Sequence, residues 1–446
     1  MGKKQFGTRD LFFTGSLLFG LFFGSGNLIF PVALGQSAGA NFWPALFGML
    51  LSAVGLPLLG VCAIALTQSN GVLSLATKVG QHFGRIFTIA LYLVIGPLFV
   101  LPRLADTAFV ISFGTLTTSP WWLLLFSLLF LGSAYWLARR PGKLLDYIGK
   151  ILNPLFLVLL ALLLGAAFIN PMGGTSHQPQ PQFAQRPISS GFSVGYNTMD
   201  LLAALAFGIV IITSLKARGV TKPKDLALTT IKAGVISTGL MAVLYGALTY
   251  LGASSVAKFD IQANGALTLA LTAHYYFGQW GQVILAAIVI VACLKTAVGL
   301  ISAFGETFTD LYPQWSYQRF ILIATGGALL LANLGLNQLI AYSNPVLMLI
   351  YPLAITLVLS SLISTLTQPP HYWSYRLAML FVLIPAILNG LSNLPASVFS
   401  QVSWLHGFTN WNMLLPFADY GLGWLFPAIL GLMVGLLLDN FWDKEL

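Results

Sequence analysis

Four consecutive residues, Gly24, Ser25, Gly26 and Asn27, interrupt the segment LFFGSGNLIFP (21–31), which is otherwise apolar enough to lie in a membrane. Two glycines and an Asn are weak helix formers, and the Asn amide carries hydrogen-bonding groups into hydrocarbon. An unwound turn here has a definite chemistry. The helix before it ends in free carbonyls, from about Gly20 to Phe23, and the helix after it begins with free N–H groups at Gly26, Asn27 and Leu28. A helix C-terminus suits a cation, and an N-terminus suits a carboxylate. Two such ends meeting in mid-membrane make a site for a zwitterion with a cation beside it. The competing reading is a Gly-x-Gly face for close helix packing, although packing motifs seldom add a neighbouring Ser and Asn.

Charged residues inside apolar stretches are the second class of candidates. Arg103 and Asp106 stand at i, i+3 and are placed to form an ion pair, either structural or with a part in gating or proton movement. Asp200 stands just ahead of a second interrupted stretch, NTMDLLAALAFG (197–208), within reach of a ligand or an outer vestibule. Asn197 and Thr198 are candidates for ligand contacts or for helix capping. Glu306 falls near the end of an apolar stretch and reads as a solvated end residue, with a gate partner as the alternative.

The elements that must position these residues follow from composition. The 446 residues are 57% hydrophobic and 7% charged, with a mean hydropathy of +0.85. A soluble domain carries about 25% charged residues, so this chain could not cover its own surface in water. Its long apolar runs imply an all-α integral membrane protein embedded in a lipid bilayer. Twelve spans are expected, at roughly 11–35, 42–66, 86–112, 121–138, 147–169, 192–215, 229–251, 281–305, 319–336, 339–366, 376–392 and 415–438.

With a cytoplasmic N-terminus, the inward segments hold nearly all of the 21 Lys and Arg. The outward loops hold Arg186 and Lys258, and the spans hold Arg103 and Lys295. This positive-inside bias places both termini in the cytoplasm and accounts for the net charge of +9 without any nucleic-acid partner. Cys62 and Cys293 both fall in spans and suggest neither a disulfide framework nor a metal site. The first apolar run is too long for a signal peptide, and Phe6 stands where a myristoylation signal needs Ser or Thr.

Most loops are short, so residues 1–446 form one membrane domain. A polar, Pro-rich loop spans 170–191. The segment 252–280 contains an apolar stretch, GALTLALTAHYYFGQWG, that reads as a lid or as an interfacial anchor through Tyr275, Tyr276 and Trp280. Spans one and six cross in opposite senses, and each is interrupted near its middle. That pairing points to an inverted-repeat transporter with its site at the two breaks. The halves would be 1–169 and 192–366, followed by two additional helices in 376–438. Around the breaks, Phe19, Phe22, Phe23, Leu28 and Phe30 would line an apolar pocket. Ala203, Ala204, Ala206 and Gly208 leave room for an aliphatic side chain beside Phe207, or simply let helices approach.

The stretches LFFGSGNLIFP, YNTMDLLAALAFG and GLISAFGETF, with the twelve-span layout, resemble the bacterial branched-chain amino acid:cation symporters (BrnQ-type) over essentially the whole chain. More distantly, GSGNLIFP is similar to the first-helix signature of LeuT-type sodium symporters. The resemblance implies a LeuT-like 5+5 inverted repeat with broken helices 1 and 6, in a bacterial cytoplasmic membrane. It also implies Na⁺-coupled uptake of Leu, Ile and Val by alternating access. It places the substrate carboxylate at Gly24, Ser25, Gly26 and Asn27, and the aliphatic side chain near Ala203, Ala204 and Phe207. It places Na⁺ between Gly20 and Phe23 on span one and Ala292, Lys295 and Thr296 on span eight.

Lys295 departs from that pattern. It lies about fourteen residues into its span, about 20 Å deep at 1.5 Å per residue and beyond snorkelling reach. A charged lysine there costs roughly 2.5–3.5 kcal/mol. The adjacent small residues Ala292, Thr296, Gly299 and Ala303 mark a face that packs on protein. Three readings stay open. The ammonium stands in for Na⁺, giving proton-coupled transport or exchange of small apolar amino acids; or Lys295 is a sequence change, natural or engineered, that holds one conformation; or it lines an aqueous vestibule. A membrane-embedded enzyme is the different-class alternative. It fits poorly, because His82, His177, His274, His371 and His406 all fall in loops or at span ends, and no catalytic motif is present.

Overall fold

The structure is a computed structural model that describes residues 7–139 other than 115 and 118, 153–367, 372–395 and 414–442. Residues 1–6, the expected start of span five at 147–152, Arg140, Lys143, Lys150, His371, His406 and Lys444 lie outside these. Among the described residues the chain is helical, with no strand.

Span one is two helices, α1 (Thr8–Phe22) and α2 (Ser25–Ala38), separated at Phe23 and Gly24. Span two runs from α3 (Phe42–Leu50) through a π turn into α4 (Leu56–Leu66). After the short α5 (Val72–Ala76), span three joins α6 (Gln81–Leu93) to α7 (Val100–Phe113) across a π turn in which Gly96 is non-helical and Pro97 withholds an N–H. Spans four and five are α8 (Pro120–Ala138) and α9 (Asn153–Ile169). A short α10 (Pro181–Gln185) precedes span six, which is again two helices, α11 (Pro187–Tyr196) and α12 (Asp200–Ala217). Then come α13 (Pro223–Ser255), α14 (Gly265–Leu311), α15 (Tyr317–Ala332), α16 (Leu336–Leu366), α17 (Trp373–Ser392) and α18 (Leu425–Trp442).

By length and composition alone, seven helical segments among the described residues can cross a membrane, or eight if the bent pair in span six is one. Two of those segments are too long to cross once. Ser25–Leu66 holds 42 residues and Gly265–Leu311 holds 47, about 63 and 70 Å if straight, against a hydrocarbon core of about 30 Å. They break at Gly39 (φ +49°) and Gly278 (φ +61°), in the left-handed region that glycine tolerates. With these breaks and the shorter apolar helices α9, α15 and α18, the order of elements fits twelve spans and the 5+5 inverted arrangement.

The broken spans exchange partners between halves. Both parts of span one lie along α13, the second span of the other half, and both parts of span six lie along α3 and α4. The approach is backbone to backbone, because the facing residues lack side chains. Cβ atoms at Gly35 and Gly252 would collide with the Thr249 and Val32 carbonyls, and Cβ atoms at Gly48 and Gly191 with those of Ile188 and Ala45. Without a hydrophobic force between helices in lipid, such close packing is what holds them.

At the end of α2, the amide of Gln36 gathers the connecting segments. Its Nε2 donates to Ser255 Oγ at 3.0 Å, and its Oε1 accepts from Gln262 N at 3.2 Å and Thr268 Oγ1 at 2.9 Å. His177 Nε2 lies 2.8 Å from the Gln36 carbonyl. The stretch expected as lid or anchor is the first part of α14. Asn264 Oδ1 caps it by accepting from Ala266 N and Leu267 N. Tyr276 Oη fixes it by donating to the Asn170 carbonyl, and Tyr275 and Trp280 stay exposed as interfacial anchors do.

Candidate functional site

The break in span one is shorter than its composition implies. Phe23 leaves the helix with its N–H on the Phe19 carbonyl, Gly24 turns the chain, and the helix restarts at Ser25. Asn27 makes this possible: its Oδ1 accepts from Gly24 N at 2.8 Å, a side-chain cap reaching back across the turn. With Gly24 as N-cap, its carbonyl takes the first intrahelical bond, so the free N–H groups are those of Ser25, Gly26 and Asn27. Leu28 is therefore not among the free donors. In span six the helix is interrupted at Asn197–Met199. Met199 adopts φ +62° and the helix resumes at Asp200, while Pro187–Gly208 and Val210–Lys216 meet at a bend of 44°.

The two breaks are tied together by buried polar groups. Asn27 Nδ2 donates to both oxygens of Asp200, at 2.8 and 3.0 Å, and also contacts Tyr245 Oη of α13. Tyr245 Oη donates to Asp200 Oδ2 at 2.6 Å. These charge-assisted bonds fix the Asp200 carboxylate in mid-membrane.

Arg103 does not pair with Asp106. Its Nη1 donates to the carbonyl of Asn197 at 2.8 Å, where α11 ends and its dipole is negative, and its guanidinium lies 5.2 Å from the centre of the Phe30 ring. The two Asp106 oxygens are buried without a hydrogen-bond partner. A Cβ on Gly26 would come 3.0 Å from Arg103 Nη2, which places the guanidinium against the first turn of α2.

A narrow cavity lies between the breaks, lined by Gly24, Ser25, Gly26, Asn27, Arg103 and Asp200, with Ala203, Phe207 and Thr296 closing its sides. Ala203 and Phe207 share a face with Asp200 at helical spacing. Ala204 does not reach the cavity; it packs against Gly60 of α4. Asn197 also lines a separate polar vestibule with Arg186, Asn344, Asn389, Asn393 and Asp419. The Arg103–Asn197 bond thus stands between that vestibule and the inner cavity. Glu306 is exposed, as a span-end residue should be.

On the cation side, Thr296 Oγ1 lies 3.4 Å from the Phe23 carbonyl and 3.2 Å from the Ala292 carbonyl. Three oxygens from spans one and eight therefore converge at the end of α1, a donor set that fits a small cation. At Gly20 the Asn153 amide fills the space where a Cβ would stand. Lys295, next to Thr296 in the chain, is 2% exposed. Its Nζ donates to Asn153 Oδ1 at 2.5 Å and lies 5.3 Å from the Phe156 and 5.9 Å from the Phe19 ring centres. Asn153 Nδ2 in turn donates to the Ser16 carbonyl at 2.6 Å. The lysine thus neither lines an aqueous vestibule nor enters the Thr296 oxygen cluster; it is held beside the end of α1.

Residues 7–442 match the family model described as branched-chain amino acid transport protein. The chain belongs to that family. It is 40% identical over 442 residues to the branched-chain amino acid permease BraB of Bacillus subtilis, covering 98% of this chain and 97% of the permease. To the permease BrnQ of Escherichia coli (strain K12) it is 38% identical over 441 residues, covering 99% and 97%. Among solved structures, the inward-facing form of Mhp1 superposes with a TM-score of 0.58 at 13% identity, covering 98% of this chain and 91% of Mhp1. MhsT in complex with L-phenylalanine gives 0.53 at 15%, covering 98% and 99%. At these identities the structural likeness speaks to the fold, which is the LeuT-like one.

Two residues that shape the site in this branched-chain amino acid transport family member escaped the sequence reading. Tyr245 had one available signal, since a tyrosine in mid-span is displaced from the membrane interface where tyrosines gather. Asn153 carries a similar one, an amide at the head of an apolar helix. Neither signal names a partner.

Proposed function

We propose that this permease-family member imports the branched-chain L-amino acids Leu, Ile and Val across a bacterial cytoplasmic membrane, coupled to Na⁺, by alternating access. The single observation that carries the reading is the meeting of two broken helices in one buried cavity, with free N–H groups on α2 and the Phe23, Ala292 and Thr296 oxygens on the other side. The N-terminus of α2 suits the substrate carboxylate, and the end of α1 suits the co-transported cation. Ala203 and Phe207 supply an apolar wall for an aliphatic side chain. The cavity is narrow, so a leucine side chain requires it to widen, as alternating access demands.

One observation favours a second coupling mode. The Lys295 side chain, fixed by Asn153 next to α1, places an amine beside the helix end where a cation would otherwise bind. Proton-coupled transport or exchange then replaces Na⁺ coupling. Reconstitution in liposomes separates the two. Labelled leucine uptake rises with an inward Na⁺ gradient under the first reading, and with a proton gradient or internal amino acid alone under the second. Uptake that isoleucine and valine fail to compete would refute the substrate assignment.

A further inference from the structure

Arg103 and Asp200 line the same cavity with opposite charges, yet they do not pair. Arg103, 1% exposed, makes one hydrogen bond, to the Asn197 carbonyl; its Nε is buried without a partner, and Nη2 rests over Gly26. Among the described residues it forms no ion pair. Asp200, also 1% exposed, accepts from the neutral donors Asn27 and Tyr245 and faces no cation within bonding distance. A buried charge without a counter-charge is strongly unfavourable, and one that persists calls for a partner that comes and goes.

Beside Arg103, the free N–H groups of Ser25, Gly26 and Asn27 extend the positive patch, and Ser25 Oγ is buried with no hydrogen-bond partner of its own. Positive and negative patches thus face one small space.

We propose that Arg103 and Asp200 are the two charged anchors of the substrate. The guanidinium and the first turn of α2 hold the carboxylate, and the Asp200 carboxylate holds the ammonium of an α-amino acid. The proposal deepens the transport reading and rests on it. Arg103 supplies a planar donor fork that matches a carboxylate. Asn27 and Tyr245 act as positioning residues: they leave Asp200 no freedom to swing toward Arg103 and cancel the site. The selectivity that follows is for the zwitterion. A ligand lacking either charge leaves one buried anchor unmatched.

The test uses the full chain in detergent or proteoliposomes, with labelled leucine displaced by three probes: leucine, leucinamide (neutral in place of the carboxylate) and 4-methyl-2-oxopentanoate (no ammonium). Arg103→Gln should weaken leucine by about 100-fold, the scale of losing one partner of a buried charge pair, and leave leucinamide within about threefold, so that their ratio collapses. Asp200→Asn should weaken leucine similarly while leaving the oxo acid nearly unchanged. Arg103→Lys, which keeps the charge and loses the fork, should fall between. If both anchors are structural, leucine and its analogues weaken by the same factor and the melting temperature falls; that result, or unaltered ratios, overturns the proposal alone. A wild-type protein that binds no leucine overturns the transport reading first.

Discussion

Lys295 and Asp106 show what residue type announces and what only the fold supplies. Both stood out as charges in hydrocarbon, and both are buried. Their environments diverge. Lys295 receives an amide oxygen and two aromatic faces, whereas Asp106 receives nothing. The expected Arg103–Asp106 pair fails because a carbonyl at the end of α11 and the start of α2 draw the guanidinium toward the cavity. Partners such as Asn27 and Asp200, 173 positions apart, leave no periodic trace in one sequence. The Gly-Ser-Gly-Asn break was legible because those residue types contradict an apolar helix wherever it packs. We expect Lys295→Thr to free Asn153 and to create or strengthen Na⁺ stimulation of leucine uptake. An ion dependence identical to that of the parent protein would assign Lys295 a purely structural part.

At the scale of elements, hydropathy gave the spans because each crossing is a property of one contiguous stretch. Their ends moved where caps decide. α6 starts at Gln81 rather than 86, and the second break closes at Asp200, because a left-handed Met199 turns the chain in one step. Of the residues expected beside an aliphatic side chain, Ala203 and Phe207 line the cavity, while Ala204, one position round the helix, meets Gly60. The glycine contacts between α2 and α13 make an element-level prediction. Gly35→Leu or Gly252→Leu inserts a side chain against a neighbouring backbone and should cost at least about 3 kcal/mol, at the upper end of overpacking. A melting curve in detergent should show a large drop for either variant, and one for Gly239→Leu, where a Cβ meets nothing within 4 Å, should show little.

In the whole molecule, the inverted arrangement was legible from two interruptions in spans of opposite sense. The exchange of partners between the halves was not, because hydropathy records that a helix is buried and says nothing about what buries it. That exchange sets an order of assembly. When the ribosome has released the first five spans, α1 and α2 still lack α13 along their length, and α3 and α4 lack α11 and α12. The first half must wait in the bilayer with its glycine faces open until the seventh span arrives. The cavity between the two breaks is therefore complete only once the eighth span, which carries Thr296 and Leu300, has been made. A chain cut within 170–191 gives two fragments that should each fail to bind leucine and should recover binding when produced together in one cell. Recovery from fragments made separately and mixed in detergent should be poor, since the interlocked helices have no route to thread past one another once each half has closed on itself.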